Sequence, residues 1–221
     1  MIYIAPSLLS ADMARLSDAI QAVETTADYI HCDIMDGHFV PNLTFGPPVV
    51  KAIKRVSKLP LDVHLMINDP VSWIDRFIDT GLDSKDFLTF HIEAEINPQS
   101  GIERIIDRGV RPGLSIKPGT YSGQIIPYLD IIDQLLVMSV EPGFGGQQFM
   151  RSVLPKIRQV RKLVGSQLII GIDGGIDVDT IPQAVSAGAD LIVAGSAVYG
   201  RKDGSTPAEA IHQLRMAVLG A

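Results

Sequence analysis

Eight short β-rich apolar runs, separated by longer stretches of helical period, constrain this chain more than any other feature. They read YIAPSLL at 3–9, DYIHCDIM at 28–35, LDVHLM at 61–66, FLTFHIE at 87–93, RPGLSIK at 111–117, DQLLVMSV at 133–140, LIIGIDG at 168–174 and ADLIVAG at 189–195. Helical period occupies 12–25, 47–58, 70–81, 99–109, 150–164, 178–188 and 206–219, and the segment TYSGQIIPYL at 120–129 is the weakest candidate for a helix. Strand and helix in strict alternation imply right-handed crossovers and a parallel sheet, and eight such units imply an α/β fold closed as a single (β/α)8 TIM barrel. An open doubly wound sheet is the competing architecture. It usually carries a Gly-rich turn after its first strand, and here that turn reads APSLLSAD. No linker or shift in composition divides the chain, so residues 1–221 are expected to form one barrel domain.

Composition narrows the class of partner. Hydrophobic residues make up 46% and charged residues 20%, as in globular proteins, and the net charge of -6 disfavours a phosphate backbone as partner. The N-terminal MIYIAPSLLSAD lacks a basic segment, and Pro6 and Ser7 break its apolar run, which predicts neither a signal peptide nor a membrane span. The one cysteine, Cys32, permits no intrachain disulfide and fits a reducing compartment, so a cytoplasmic protein is expected. Small-molecule chemistry is left as the expectation.

A barrel carries its site at the C-terminal ends of its strands. Side chains alternate along a strand, so His31, Asp33 and Met35 share the inward face of the second, whereas Cys32 and Ile34 face the helices. The third strand offers His64 and Met66, and the seventh ends in Asp173. Two imidazoles and two carboxylates converging on one mouth suit a divalent metal such as Zn²⁺, Fe²⁺, Mn²⁺ or Co²⁺. A solitary histidine on a strand is more simply a hydrogen-bonded core residue, and that reading is kept for His91. Asp36 and His38 fall in the loop after the second strand and are expected to shape it. After the sixth strand comes VEPGFGGQQF, whose Gly143, Gly145 and Gly146 let backbone approach a ligand and turn N–H groups toward an anion. Gly174–Gly175 and Gly195–Ser196 stand after the seventh and eighth strands, where barrels commonly hold a phosphate.

At HCDIMDGHFVPNLTFGP, VHLM, LVMSVEPGFGGQ, IDGGI and AGSA the chain closely resembles the ribulose-phosphate 3-epimerase family, and the likeness runs from APSLLSAD to AGSAVYG. The resemblance implies a ribulose-phosphate-binding barrel that interconverts D-ribulose 5-phosphate and D-xylulose 5-phosphate in the pentose phosphate pathway. It implies that His31, Asp33, His64 and Asp173 ligate one divalent metal, Zn²⁺ first, and that Asp33 and Asp173 are acid/base groups on opposite faces of the substrate. It places Ser7 and His64 against the substrate, makes Met35, Met66 and Met138 pocket walls, and assigns the phosphate to Gly143, Phe144, Gly145, Gly146, Gly174, Gly175, Gly195 and Ser196. Homo-oligomeric assembly is implied as well. Within the fold, a D-allulose-6-phosphate 3-epimerase is the neighbouring alternative; such relatives typically carry Ala at the third glycine of GFGG and depart from GGI and GSA, all of which this chain keeps. A non-catalytic sugar-phosphate sensor would have lost an acid/base carboxylate, and both are present.

Overall fold

The computed structural model describes residues 2–220. All eight expected strands form: β1 (Tyr3–Pro6), β2 (Ile30–Met35), β3 (Leu61–Met66), β4 (Phe87–His91), β5 (Arg111–Ile116), β6 (Gln134–Met138), β7 (Ile169–Asp173) and β8 (Leu191–Ala194). They lie in one parallel sheet in the order β1-β8-β7-β6-β5-β4-β3-β2, which curls into a nearly closed TIM barrel. The last seam, between β1 and β2, has no full ladder; a single bridge between Ser7 and His31 closes it at the top. Every residue of β2 and β3 is buried, as expected of parallel strands covered on both faces.

The helices are α1 (Leu16–Gln21), α2 (Pro47–Val56), α3 (Ile74–Ile78), α4 (Pro98–Asp107), α5 (Leu154–Val164), α6 (Ile181–Ala187), α7 (Ser196–Tyr199) and α8 (Pro207–Leu219). Proline occupies the first or second position of α2, α4, α5, α6 and α8, where its fixed φ suits the helix and its missing N–H costs nothing. In α8 a capping box joins Thr206 and Glu209. Two expected helices are shorter and begin as 3-10 turns: 12–25 becomes Met13–Arg15 followed by α1, and 70–81 becomes Pro70–Trp73 followed by α3. The fifth connection holds no α-helix. It forms 3-10 turns at Ser122–Gln124 and Ile126–Tyr128, because Gly119, Gly123 and Pro127 weaken or interrupt an i→i−4 ladder. The short α7 after β8 is an element that the apolar period did not reveal.

Two apolar layers hold the barrel. Ile4, Ile30, Cys32, Ile34, Val63 and Leu65 point outward into the layer shared with the helices. Ala5, Tyr29, Phe87, Leu136, Leu191 and Val193 fill the interior. At the N-terminal ends of the strands, Tyr29 packs on Tyr3 and Phe87 with centroid separations of 5.9 and 5.5 Å, and the Arg111 guanidinium lies 4.0 Å from the Phe87 ring centre. That end is plugged by aromatic rings, so the polar groups that remain inside collect at the opposite mouth.

Candidate active site

His31 and Asp33 rise side by side from β2, and the parallel register sets Asp33 opposite His64 on β3. Met138 of β6 lies opposite Asp173 of β7. Nitrogen and carboxylate oxygen atoms of His31, Asp33, His64 and Asp173 all fall within 4.8 Å of one another. His31 Nε2 stands 3.3 Å from Asp33 Oδ1 and 3.9 Å from Asp173 Oδ2, while His64 Nδ1 stands 3.6 Å from Asp33 Oδ1 and 3.9 Å from Asp173 Oδ2. The far nitrogen of each ring is already engaged. His31 Nδ1 meets Asp62 Oδ2 at 2.7 Å, and His64 Nε2 meets His91 Nε2 at 3.0 Å and Ser115 Oγ at 3.2 Å.

Among the described residues, His31 Nε2 and His64 Nδ1 are buried without a hydrogen-bond partner. An orphaned buried polar atom is costly, and two aimed between two carboxylates fit a cation. The N and O donors match a first-row divalent metal, and Asp62 behind His31 is the outer carboxylate that such ligands commonly have. The residues present therefore fit one metal ion.

The two carboxyl groups of this cluster have opposite proton affinities. Burial opposes ionisation of Asp33, yet the imidazoles of His31 and His64 outweigh it and hold the group well below the usual carboxylate range. Burial, reinforced by the charge of Asp33, pushes Asp173 up to about 7. His31 is drawn down by burial, but Asp33 and Asp62 overcome that and raise it well above its ordinary value.

The pocket above the cluster is lined by Ser7, Met35, Met66, Met138, Asp33 and Asp173 on one side and by the loops after β6, β7 and β8 on the other. Ser7 lies just past the end of β1 rather than within it; it caps the 3-10 turn Leu8–Ser10 and donates its hydroxyl to Asp33 Oδ2 at 2.6 Å. His31 and His64 are fully buried beneath the lining, so the substrate contact expected of His64 is not among the pocket-lining contacts. Gly143, Phe144, Gly145, Gly146, Gly174, Gly175, Gly195 and Ser196, the residues expected to meet a phosphate, all line the pocket. Gly174 and Gly175 have φ of 119° and 63°, and a Cβ on Gly175 would lie 2.4 Å from the Phe149 backbone nitrogen, so only glycine fits there. Asp33 and Asp173 are the charged side chains of the lining among the described residues, which leaves backbone N–H groups to meet an anion.

Asp36 shapes its loop as expected: Oδ1 accepts from the His38 and Phe39 N–H groups at 2.8 and 2.9 Å, and Oδ2 accepts from Asn68 N–H at 2.8 Å. Sequence reasoning missed several contributors. Asn42 donates to the Gly143 carbonyl at 2.7 Å and ties the β2 loop to the β6 loop, and Ser10 abuts Gly145 and Gly195. Asp62 shares the inward phase of His64, so its signal was present in the alternation of β3. Gln134 donates to Asp62 Oδ1 at 3.2 Å, a contact that only the register across the barrel reveals.

The model of the ribulose-phosphate 3-epimerase family matches residues 3–199. A ribulose-phosphate 3-epimerase of Mycobacterium tuberculosis is 51% identical over 218 residues, spanning 96% of this chain and 91% of that protein. The Bacillus subtilis ribulose-phosphate 3-epimerase is 47% identical over 208 residues, spanning 92% and 94%. Among solved structures, 3-hexulose-6-phosphate synthase from Salmonella typhimurium superimposes with a TM-score of 0.73 at 17% identity, covering 99% of each chain, and shares the barrel. With a buried His/Asp cluster below, a glycine cradle above and this likeness along nearly its whole length, the chain belongs to the ribulose-phosphate 3-epimerase family.

Proposed function

We propose that this chain interconverts D-ribulose 5-phosphate and D-xylulose 5-phosphate by moving a proton at C3 through an enediolate, with Asp33 and Asp173 as the acid/base pair. The observation that carries the reading is the convergence of the Asp33 and Asp173 carboxyl groups, from β2 and β7, on one pocket floor, where the imidazoles lower the proton affinity of Asp33 while burial and the Asp33 charge raise that of Asp173. Environments that push a pair apart in this way supply a base and an acid at neutral pH. The base removes the C3 proton, which is acidic because it lies α to the C2 carbonyl; the acid on the other face returns one, and C3 emerges inverted. In the reverse direction the two exchange roles. His31, Asp33, His64 and Asp173 would hold one divalent metal, Zn²⁺ first, supported by the two orphaned imidazole nitrogens. When bound, such an ion supplies Lewis-acid polarisation of the C2 oxygen, which eases loss of the neighbouring proton.

Ser7, donating to Asp33 Oδ2, holds that carboxylate in place at the pocket floor. Met35, Met66 and Met138 give a polarizable wall without competing strong donors, and Met35 and Met66 pack with Val40 beneath the β2 loop. Backbone at 143–146, 174–175 and 195–196 would receive the phosphate, with Phe144 above it. The rest of the proposal follows the resemblance: a homo-oligomer acting in the cytoplasm, the latter supported by the one buried reduced cysteine. No helix among the described residues is long and apolar enough to cross a membrane.

A coupled assay of metal-replete protein on D-ribulose 5-phosphate and D-allulose 6-phosphate tests substrate and reaction together. The five-carbon ketose should turn over with the higher kcat/KM, chelation should abolish activity, and added divalent metal should restore it. Full activity in protein shown to be metal-free by elemental analysis, or a preference for the six-carbon substrate, would overturn this reading.

A further inference from the structure

The two histidines at the pocket floor are braced differently. His31 rests directly on a carboxylate, since Nδ1 meets Asp62 Oδ2 at 2.7 Å and leaves Nε2 free. His64 has no carboxylate behind it. Its Nε2 faces His91 Nε2 at 3.0 Å, and on the far side His91 Nδ1 meets Glu93 Oε2 at 3.0 Å. Glu93 in turn accepts at Oε1 from the Lys117 N–H at 2.8 Å and from the Thr120 hydroxyl. Phe39 from the β2 loop packs tilted against His91 at a centroid distance of 4.8 Å, and the Lys117 ammonium lies 4.0 Å from the Phe39 ring centre. The assembly links the loops after β2, β4 and β5.

Donor and acceptor roles along this chain are forced. An ionised carboxylate only accepts, so His91 Nδ1 carries the proton. His91 Nε2 is then a lone pair, and the nitrogen facing it, His64 Nε2, must be the donor. That leaves His64 Nδ1 bare, and Nδ1 is the atom pointing at Asp33 and Asp173. Had Glu93 been a donor, every role would reverse: two N–H groups would oppose each other across 3.0 Å, or His64 would turn its proton toward the cluster.

We infer that Glu93 is a positioning residue that acts through His91 to fix the tautomer of His64, so that Nδ1 is presented as a lone pair to a divalent metal. The inference rests on the reading of His64 as a ligand. It assigns to His91, which the sequence left as a core residue, the task of passing a carboxylate's influence one ring further than Asp62 must on the other side. Ser115 Oγ, 3.2 Å from His64 Nε2, is a second acceptor that makes the device tolerant of partial loss.

Glu93→Gln is the test, because it keeps shape and removes the one property the inference needs. The amide has a single oxygen, and the Lys117 N–H and the Thr120 hydroxyl both claim it. Its NH₂ is then left facing His91 Nδ1, which must become the acceptor. Long-range ¹H–¹⁵N spectra of the imidazoles in metal-free protein should show His91 protonated at Nδ1 in the natural chain and at Nε2 in Glu93→Gln. Titration with Co²⁺ against a chelator should show about 10- to 100-fold weaker binding in Glu93→Gln, with altered visible bands, as expected for loss of an outer-shell partner. Glu95→Gln, with the same charge change on the exposed neighbouring segment, controls for long-range charge and should bind Co²⁺ as the natural chain does. If the natural chain binds Co²⁺ and His64→Ala abolishes it, but Glu93→Gln matches the natural chain in affinity and tautomer, the relay is wrong and the metal reading survives. If the natural chain fails to bind Co²⁺, the metal reading fails first, and the ¹⁵N spectra still decide whether Glu93 sets the tautomer.

Discussion

The mouth of this barrel has two halves made of different materials. On the β2, β3 and β4 side, function is written in side chains: His31, Asp33 and His64 are each held by a partner that is itself buried. On the side of the β6 and β8 loops, it is written in backbone shape, with Gly143 and Gly146 at positive φ, Gly195 packed against Ser10, and no cationic side chain among the described lining residues. Asp173 followed by Gly174 and Gly175 is the hinge between them, one residue serving each style in turn. The lesson is that the first half fails when an atom is changed, whereas the second fails when an atom is added.

The largest effect should come from removing one carboxylate charge at the pocket floor. Asp33→Asn and Asp173→Asn should each lower epimerisation by at least about 10²–10⁴-fold in both directions. In protein that retains metal, each should still exchange the C3 hydrogen of one epimer with deuterated solvent, and the two should choose opposite epimers. Exchange of the same epimer by both would break the assignment of one aspartate to each face. Metal occupancy is measured first, since a lost ion mimics a lost base.

Adding one methyl in the second half comes next. Gly175→Ala, whose Cβ would meet Phe149 backbone at 2.4 Å and whose φ is +63°, should raise KM for the sugar phosphate by more than about tenfold and cost roughly 1–3 kcal/mol of stability. Gly145→Ala meets only the Ser10 hydroxyl at 3.3 Å, and its effect on KM should be several times smaller. Equal KM values for the two variants would show that the loops act by something other than backbone shape.

Acid should then separate the halves without mutation. In the metal-free chain Asp173 takes up its proton at about 7, and that proton must leave before the oxygen can ligate. Apparent metal affinity should therefore still climb above pH 7, where His31 also has a proton to lose, and weaken more steeply below it, by up to about tenfold per unit for each proton displaced, as isothermal titration would register. A flat profile from pH 5.5 to 8 would remove Asp173 from the ligand set. The smallest effect belongs to Cys32, which faces the helices in the midst of the charged strand: Cys32→Ala should cost about 1 kcal/mol in a denaturant midpoint and leave kcat unchanged.

The first half was legible because a strand's period of two is rigid: once DYIHCDIM is read as a strand, His31 and Asp33 must share a face. The glycine loops were legible as a series on successive strands, though their individual φ values were not. What stayed hidden depends on which strand stands beside which and at what height. Asp62 reaches His31 because the register pairs those two residues, and Gln134 reaches Asp62 across the interior. His91 looked like core because nothing local joins it to His64; their strands had to pair before the two rings met. The fifth connection misled through its isoleucines, whose spacing suits a helix that Pro127 and two glycines do not allow.

The seam between β1 and β2 ties assembly of the site to cohesion of the whole barrel. Elsewhere neighbouring strands are laced by backbone ladders, but here the top is joined by one bridge, Ser7 to His31, and by the Ser7 hydroxyl on Asp33. Asp33 is thus a stave fastener as well as a floor group. Whatever grips Asp33 from inside the pocket also draws the first stave against the second, so occupancy should slow amide exchange at residues 4, 5 and 28–30, none of which lines the pocket. The barrel is a hoop whose clasp is its cargo.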